Sequence, residues 1–197
     1  MYVANQAGWW LVSLLESVFT VLRNAFFRLN ERRGEDFLLL RTGAIHLYWR
    51  HAFLDEAMSK LRNLGYQVLA VDASQWSSTA AMHADMARTF SFRAHYGNNM
   101  DALNDCLRDV ALGNEGSQPR SATALVVDHF DAFVRADASA AHTLIDIFAD
   151  NSRLAMLIGH RMVCLLQSDD PSLRLGTVGA TPVMWNEKEW LYKDRGL

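Results

Sequence analysis

From Gly43 onward the chain alternates between short, almost continuous apolar runs and longer stretches whose apolar residues recur every three or four positions. The short runs, residues 45–49, 66–71, 122–127 and 162–167, are rich in Val, Leu, Ile and Ala and read as buried strands. The longer stretches read as amphipathic helices. One covers residues 52–64 and closes at Gly65. A second opens at Ser77, Ser78 or Thr79 and runs to about residue 89. A third is capped by Asn98 or Asn99 and reaches about residue 112, where a polar loop spans 113–121. A fourth starts at Asp137 or Ser139, reaches about residue 157 and stops at Gly159. Residues 128–131 read as a turn. Near-continuous strands separated by helices predict an α/β fold with a small three- or four-stranded parallel sheet and right-handed crossovers.

Residues 8–29 carry a different pattern. Polar residues at 13, 16, 17, 20, 23, 24 and 28 draw one stripe on an otherwise apolar helix containing Trp9, Trp10, Phe19, Phe26 and Phe27. Glu16, Arg23 and Arg28 make this amphipathic helix too charged to be a transmembrane span, and no basic leader or cleavage site marks a secretory signal. Its broad face fits the chain's own domain, a partner or a membrane surface, and the scarcity of basic residues weakens the last. Residues 30–36 read as a polar stop and linker. The expected organisation is an N-terminal helix and linker (1–36), an α/β domain (37–170) and a C-terminal extension (171–197) that packs Trp185 and Trp190 on that domain.

Charge sharpens the picture. The net charge of the 197 residues is −3, yet residues 95–150 hold three Lys/Arg against nine Asp/Glu, a local net of −6. That balance argues against direct nucleic-acid binding through a basic surface. It fits either solvated helix faces or an acidic surface that docks a basic partner. Two cysteines, Cys106 and Cys164, make neither a disulfide framework nor a zinc site, and a reducing, cytoplasmic setting is the simpler expectation.

The motifs of catalysis are missing. No phosphate-binding loop, dinucleotide fingerprint, nucleophile elbow or His-Glu-x-x-His pair occurs, and the seven histidines are scattered. Asp128 and His129, with Asp131 nearby, fall at a strand end, where open parallel sheets bind ligands. No third metal ligand stands at a recognisable spacing. The residues thus imply no catalytic group, metal or cofactor, and an enzyme reading rests on this strand end alone.

The distinctive segment is His-Tyr-Gly-Asn-Asn-Met-Asp-Ala-Leu-Asn-Asp-Cys-Leu, residues 95–107. It begins as a turn, in which Gly97 would supply a positive φ. A helix follows with Met100, Leu103, Cys106 and Leu107 inside, and with Asp101, Asn104, Asp105 and Asp109 on one exposed face. Like charges four residues apart cost about 0.2–0.5 kcal/mol per pair, and only Asp101 is favoured by the helix dipole. A cationic partner would relieve those penalties.

This segment resembles the signature of the barstar family, inhibitors of barnase-type ribonucleases, and a looser match extends over residues 66–168. The resemblance implies a three-stranded parallel core and a protein that plugs a nuclease groove without chemistry. Carried over by position, it makes Asp105 the mimic of the substrate phosphate and Asp101 the earlier aspartate of the helix. His95 takes the place of a loop tyrosine, while Tyr96, Gly97 and Asn99 shape the turn. Asp150 is the candidate for an acidic contact from the helix before the last strand. Asn104 stands where the family has a tryptophan, so a large apolar contact is missing. The implied partner is a cognate basic ribonuclease or nuclease toxin, and the implied role that of an immunity protein. The other readings are a noncatalytic module binding another basic protein through the same face, and an enzyme or ligand binder using Asp128 and His129.

Overall fold

The computed structural model describes residues 36, 39–94, 96–114 and 121–197. The expected N-terminal helix, residue 95 and most of the polar loop at 113–121 lie outside the described residues. Leu39–Leu197 form one compact unit.

Among the described residues, this unit contains seven strands and five helices. They are β1 (Ile45–Tyr48), α1 (His51–Asn63), β2 (Gln67–Asp72), α2 (Thr79–Phe90), α3 (Met100–Leu112), β3 (Ala122–Asp128), α4 (Phe130–Ala136), α5 (Ala138–Leu157), β4 (Arg161–Gln167), β5 (Thr177–Val178), β6 (Thr181–Pro182) and β7 (Met184–Trp185). The main sheet has the order β2-β3-β4-β1-β7 with every pairing parallel, while β5 and β6 form a small antiparallel hairpin. It therefore has five strands where the sequence predicts three or four. The extra strand, β7, is only two residues long, too short to leave any periodicity in the sequence.

Connectivity explains the layering. The chain steps β2→β3→β4 across the sheet in one direction but β1→β2 in the other. Crossovers of one hand that move in opposite directions must place their helices on opposite faces. The buried residues obey this rule. Leu54 and Leu61 of α1 pack with Tyr48, Ala124, Val126, Val163 and Leu165 on one face. On the other, α2, α3, α4 and α5 bury Met82, Met86, Leu103, Leu107, Phe130, Phe133, Leu144 and Phe148 against Leu47, Leu125, Val127, Cys164 and Leu166.

The caps follow from side-chain oxygens near the expected starts. Ser78, Asn99 and Asp137 accept hydrogen bonds from the backbone N–H groups of Ala81, Ala102 and Ala140. The segment expected to be a turn at 128–131 instead starts α4, because His129 adopts a left-handed conformation (φ 52°) and directs the next residues into a helix. That helix buries Phe130 and Phe133 against Trp76. No helix among the described residues is long and apolar enough to cross a membrane.

Candidate functional site

Helix α3 divides cleanly into two faces. Leu103, Leu107 and Ala111 are fully buried, while Asp101 and Asp105 are exposed and Asp109 is half-buried. Only one turn separates Asp101 from Asp105, so their carboxylates leave the same surface of a helix whose other surface is fixed in the core.

The turn before α3 is built differently from the sequence expectation. Asn98, not Gly97, takes the left-handed backbone, with φ 50°. Gly97 instead relieves a tight approach: a Cβ there would lie 3.3 Å from the Ala102 Cβ and 3.2 Å from Asn99 Nδ2, so these side chains would have to shift by a few tenths of an ångström. Asn99 caps the helix by accepting from the Ala102 N–H at 2.8 Å, and its Nδ2 donates to the Gly97 carbonyl at 3.3 Å. Tyr96 is buried and serves as an anchor. Its hydroxyl lies 2.6 Å from His83 Nδ1 on α2, and its ring stands 5.1 Å from that of Phe92. Burial pushes the phenol up to about 12 and lowers the His83 pKa, so both groups are held neutral and can share one proton between them. Tyr96→Phe should therefore cost about 1–2 kcal/mol in a urea titration, because a buried imidazole nitrogen loses its partner. A variant as stable as the parent would remove the anchoring role.

Asn104 is half-buried and turned toward α5, where its Oδ1 accepts from Asn151 Nδ2 at 2.9 Å. The expectation of an exposed amide on the acidic face is corrected: the side chain ties two helices together. Asp150, one position earlier on α5, is exposed and ion-paired with Arg153. The tip of the β5–β6 hairpin sits on the same stretch, with the Gly179 N–H donating to Asp146 Oδ1 at 3.1 Å and the Arg153 guanidinium packed on Gly179. The i, i+3 spacing of Asp150 and Arg153 was the one sequence signal for this neutralised acid. Nothing local announced the hairpin or Asn151.

A second polar cluster lies at the carboxyl ends of the strands. His129 Nδ1 is 2.9 Å from Asp72 Oδ1, and its Nε2 is 3.8 Å from Asp169 Oδ2. His51 Nε2 is 3.9 Å from Asp128 Oδ1, and the two imidazole centroids are 5.9 Å apart. Sequence reasoning found Asp128 and His129 but not His51, Asp72 or Asp169, which come from other strand ends. Gln167 occupies the crevice beside them: it accepts from the His129 N–H at 2.9 Å and donates to the Trp49 carbonyl at 3.2 Å and Asp169 Oδ1 at 3.0 Å. No group of side chains among the described residues has the geometry of a metal site.

Burial raises the Asp128 pKa, with the His51 and His129 charges opposing the shift. For His129, burial alone would lower the pKa, but the hydrogen bond and charge of Asp72, with Asp169 and Asp128, outweigh it and the net shift is upward. A raised imidazole pKa stabilises the fold below the unfolded value of about 6.5, and the benefit disappears as pH rises through the folded value. His129→Asn tolerates the left-handed backbone. Its deficit in melting temperature should be largest near pH 5.5 and shrink above about pH 8. A deficit that does not change with pH would refute the coupling.

These features define an α/β protein with a parallel sheet, a signature turn-helix and an acidic outer face. A family model described as Barstar (barnase inhibitor) matches residues 66–167, just over half of the chain. The chain belongs to the barstar family. The match runs from the start of β2 to the end of β4, so β1, α1 and the segment after β4 lie outside it. No curated protein matches the chain. Among solved structures, a chain of "Structure of Drosophila ORC bound to AT-rich DNA and Cdc6" is similar at 16% identity and TM-score 0.45. The likeness covers 94% of this chain and 61% of that one.

Proposed function

We propose that the chain is an immunity protein of the cytoplasm that inhibits a basic ribonuclease by filling its active-site groove with the outer face of α3. Asp105 takes the place of the substrate phosphate, and Asp101 meets a second cation of the groove. Tyr96, Gly97 and Asn99 hold the turn that aims the helix, and His95 borders it. Inhibition is electrostatic and steric, and this chain supplies no chemical step. The observation that carries the reading is the exposure of Asp101 and Asp105 on one surface of a helix locked in place by Leu103 and Leu107, within a family described as barnase inhibitors.

Asn104 and Asp150 favour a departure from the usual target. Asn104 is engaged by Asn151 and offers no large apolar contact, and Asp150 already has a cation in Arg153. Electrostatic contact therefore concentrates on α3, which also suits another basic protein as partner. RNA cleavage by a barnase-type ribonuclease, measured with increasing amounts of the chain, tests the inhibitor reading. Loss of cleavage at a one-to-one ratio is the expected result. Tight binding without loss of cleavage would transfer the face to a different role.

Kinetics provide a further test. A segment of net charge −6 facing a basic groove should steer association, so the association rate should fall steeply as salt rises from 50 to about 500 mM while dissociation changes less. Stopped-flow mixing reads both. An association rate indifferent to salt would refute electrostatic docking.

A further inference from the structure

The segment after β4 lines an open pocket of about 580 Å³ that the inhibitory face does not use. Its walls are mostly apolar, with Leu173, Leu175, Met184, Trp185 and Trp190 among them. Two guanidinium groups, Arg174 and Arg195, also line it, and no Asp or Glu among the described residues does. The size lies within the range of small-molecule sites, about 300–1,000 Å³.

Arg195 gives the cavity its chemistry. The residue is only 3% exposed, and it forms no ion pair among the described residues. Its Nε donates to the Pro171 carbonyl at 2.6 Å, and its Nη1 donates to the carbonyls of Glu189 at 2.6 Å and Trp190 at 3.0 Å. Its plane lies over Trp185, 4.6 Å from the ring centroid, and 5.1 Å from that of Tyr192. These contacts leave Nη2 without a hydrogen-bond acceptor among the described residues. Arg174 is exposed beside it and donates to the Tyr192 hydroxyl at 2.6 Å. A cation withdrawn from water and matched only by carbonyl dipoles and ring faces keeps a strong demand for an anion. The rim is apolar where solvent should be met, since Trp190 is 60% exposed.

We propose that this cavity binds a small aromatic carboxylate, whose acid group pairs with Arg195 and Arg174 and whose ring rests on Trp190 and Tyr192. Charge complementarity selects the anion: both charged side chains of the wall are cations. The apolar wall and exposed indole select the aromatic body. The proposal stands apart from the inhibitor reading, because α3 contributes nothing to the cavity.

Calorimetric titration of the full chain with 2-naphthoate and with 2-naphthalenemethanol tests it. One naphthoate should bind per chain, and the neutral alcohol should bind at least about tenfold more weakly, the factor a single charge-assisted bond commonly supplies. Arg195 is buried and its loss could unfold the tail, so the variants are Arg174→Gln and Trp190→Ala, both at exposed positions. Arg174→Gln should narrow the preference for the acid, and Trp190→Ala should weaken both ligands about fivefold or more, each with an unchanged melting temperature. Absent naphthoate binding, equal affinity for acid and alcohol, or a Trp190→Ala chain that binds as the parent does would each overturn the proposal.

Discussion

Asp105→Ala is expected to weaken the complex with the target nuclease by about 2–5 kcal/mol, roughly 30- to several-thousand-fold in Kd. The size of the effect comes mostly from the partner. Truncating the carboxylate leaves cations of the groove desolvated and unmatched, and that penalty adds to the lost attraction. In the free chain the same substitution should cost less than about 1 kcal/mol, since Asp105 is exposed on the side of α3 away from the core. Inhibition constants and urea midpoints measured on the same preparation separate the two quantities. Asp150→Ala provides the contrast. Its carboxylate is already paired with Arg153, so its loss should change Kd by less than about 1 kcal/mol. If Asp105→Ala leaves Kd unchanged, the phosphate-mimic role is lost. If Asp150→Ala has the larger effect, the docking centre belongs on α5.

Glu189→Ala is expected to destabilise the fold by about 2–4 kcal/mol, the cost of leaving two backbone donors without acceptors in a buried place. Glu189 is fully buried, and its two oxygens accept from the N–H groups of Trp49 at 2.9 Å and Arg50 at 2.7 Å. These donors immediately precede α1, whose N-cap residue, Arg50, provides no side-chain acceptor. A carboxylate at that position also meets the positive end of the helix dipole. The tail thus holds the β1–α1 connection about 140 residues earlier in the chain and locks β7 beside β1, where the Asn186 N–H donates to the Leu47 carbonyl at 2.7 Å. Glu189→Gln keeps one acceptor oxygen and should lose roughly half as much. Chemical denaturation measures both. Two variants as stable as the parent would show that the tail is not an integral part of the sheet.

Much of this fold was legible in the sequence because its causes are local. Four of the strands are nearly continuous apolar runs, and the four longer helices carry the three-to-four spacing that burying one face demands. Ser78, Asn99 and Asp137 cap their helices because a short side-chain oxygen can reach the N–H three residues on, an interaction settled within four residues. The segment at 95–107 carried the family resemblance because the turn and the two aspartates are contiguous.

Tertiary structure decided the rest, through contacts between residues distant in the chain. Asn104 reads as a surface amide until Asn151, 47 positions away, gives it a partner. Gly97 reads as a positive-φ hinge, but Asn98 takes that conformation and the glycine only eases the close approach of Ala102. The short helix α4 was hidden because a non-glycine residue, His129, accepts a left-handed backbone whose N–H is held by Gln167 from β4. The fifth strand has two residues and no pattern of its own. It exists because β1 presents an open edge and Glu189 pins the following chain against it. Periodicity records which face of an element is buried; it does not record which distant element supplies the partner.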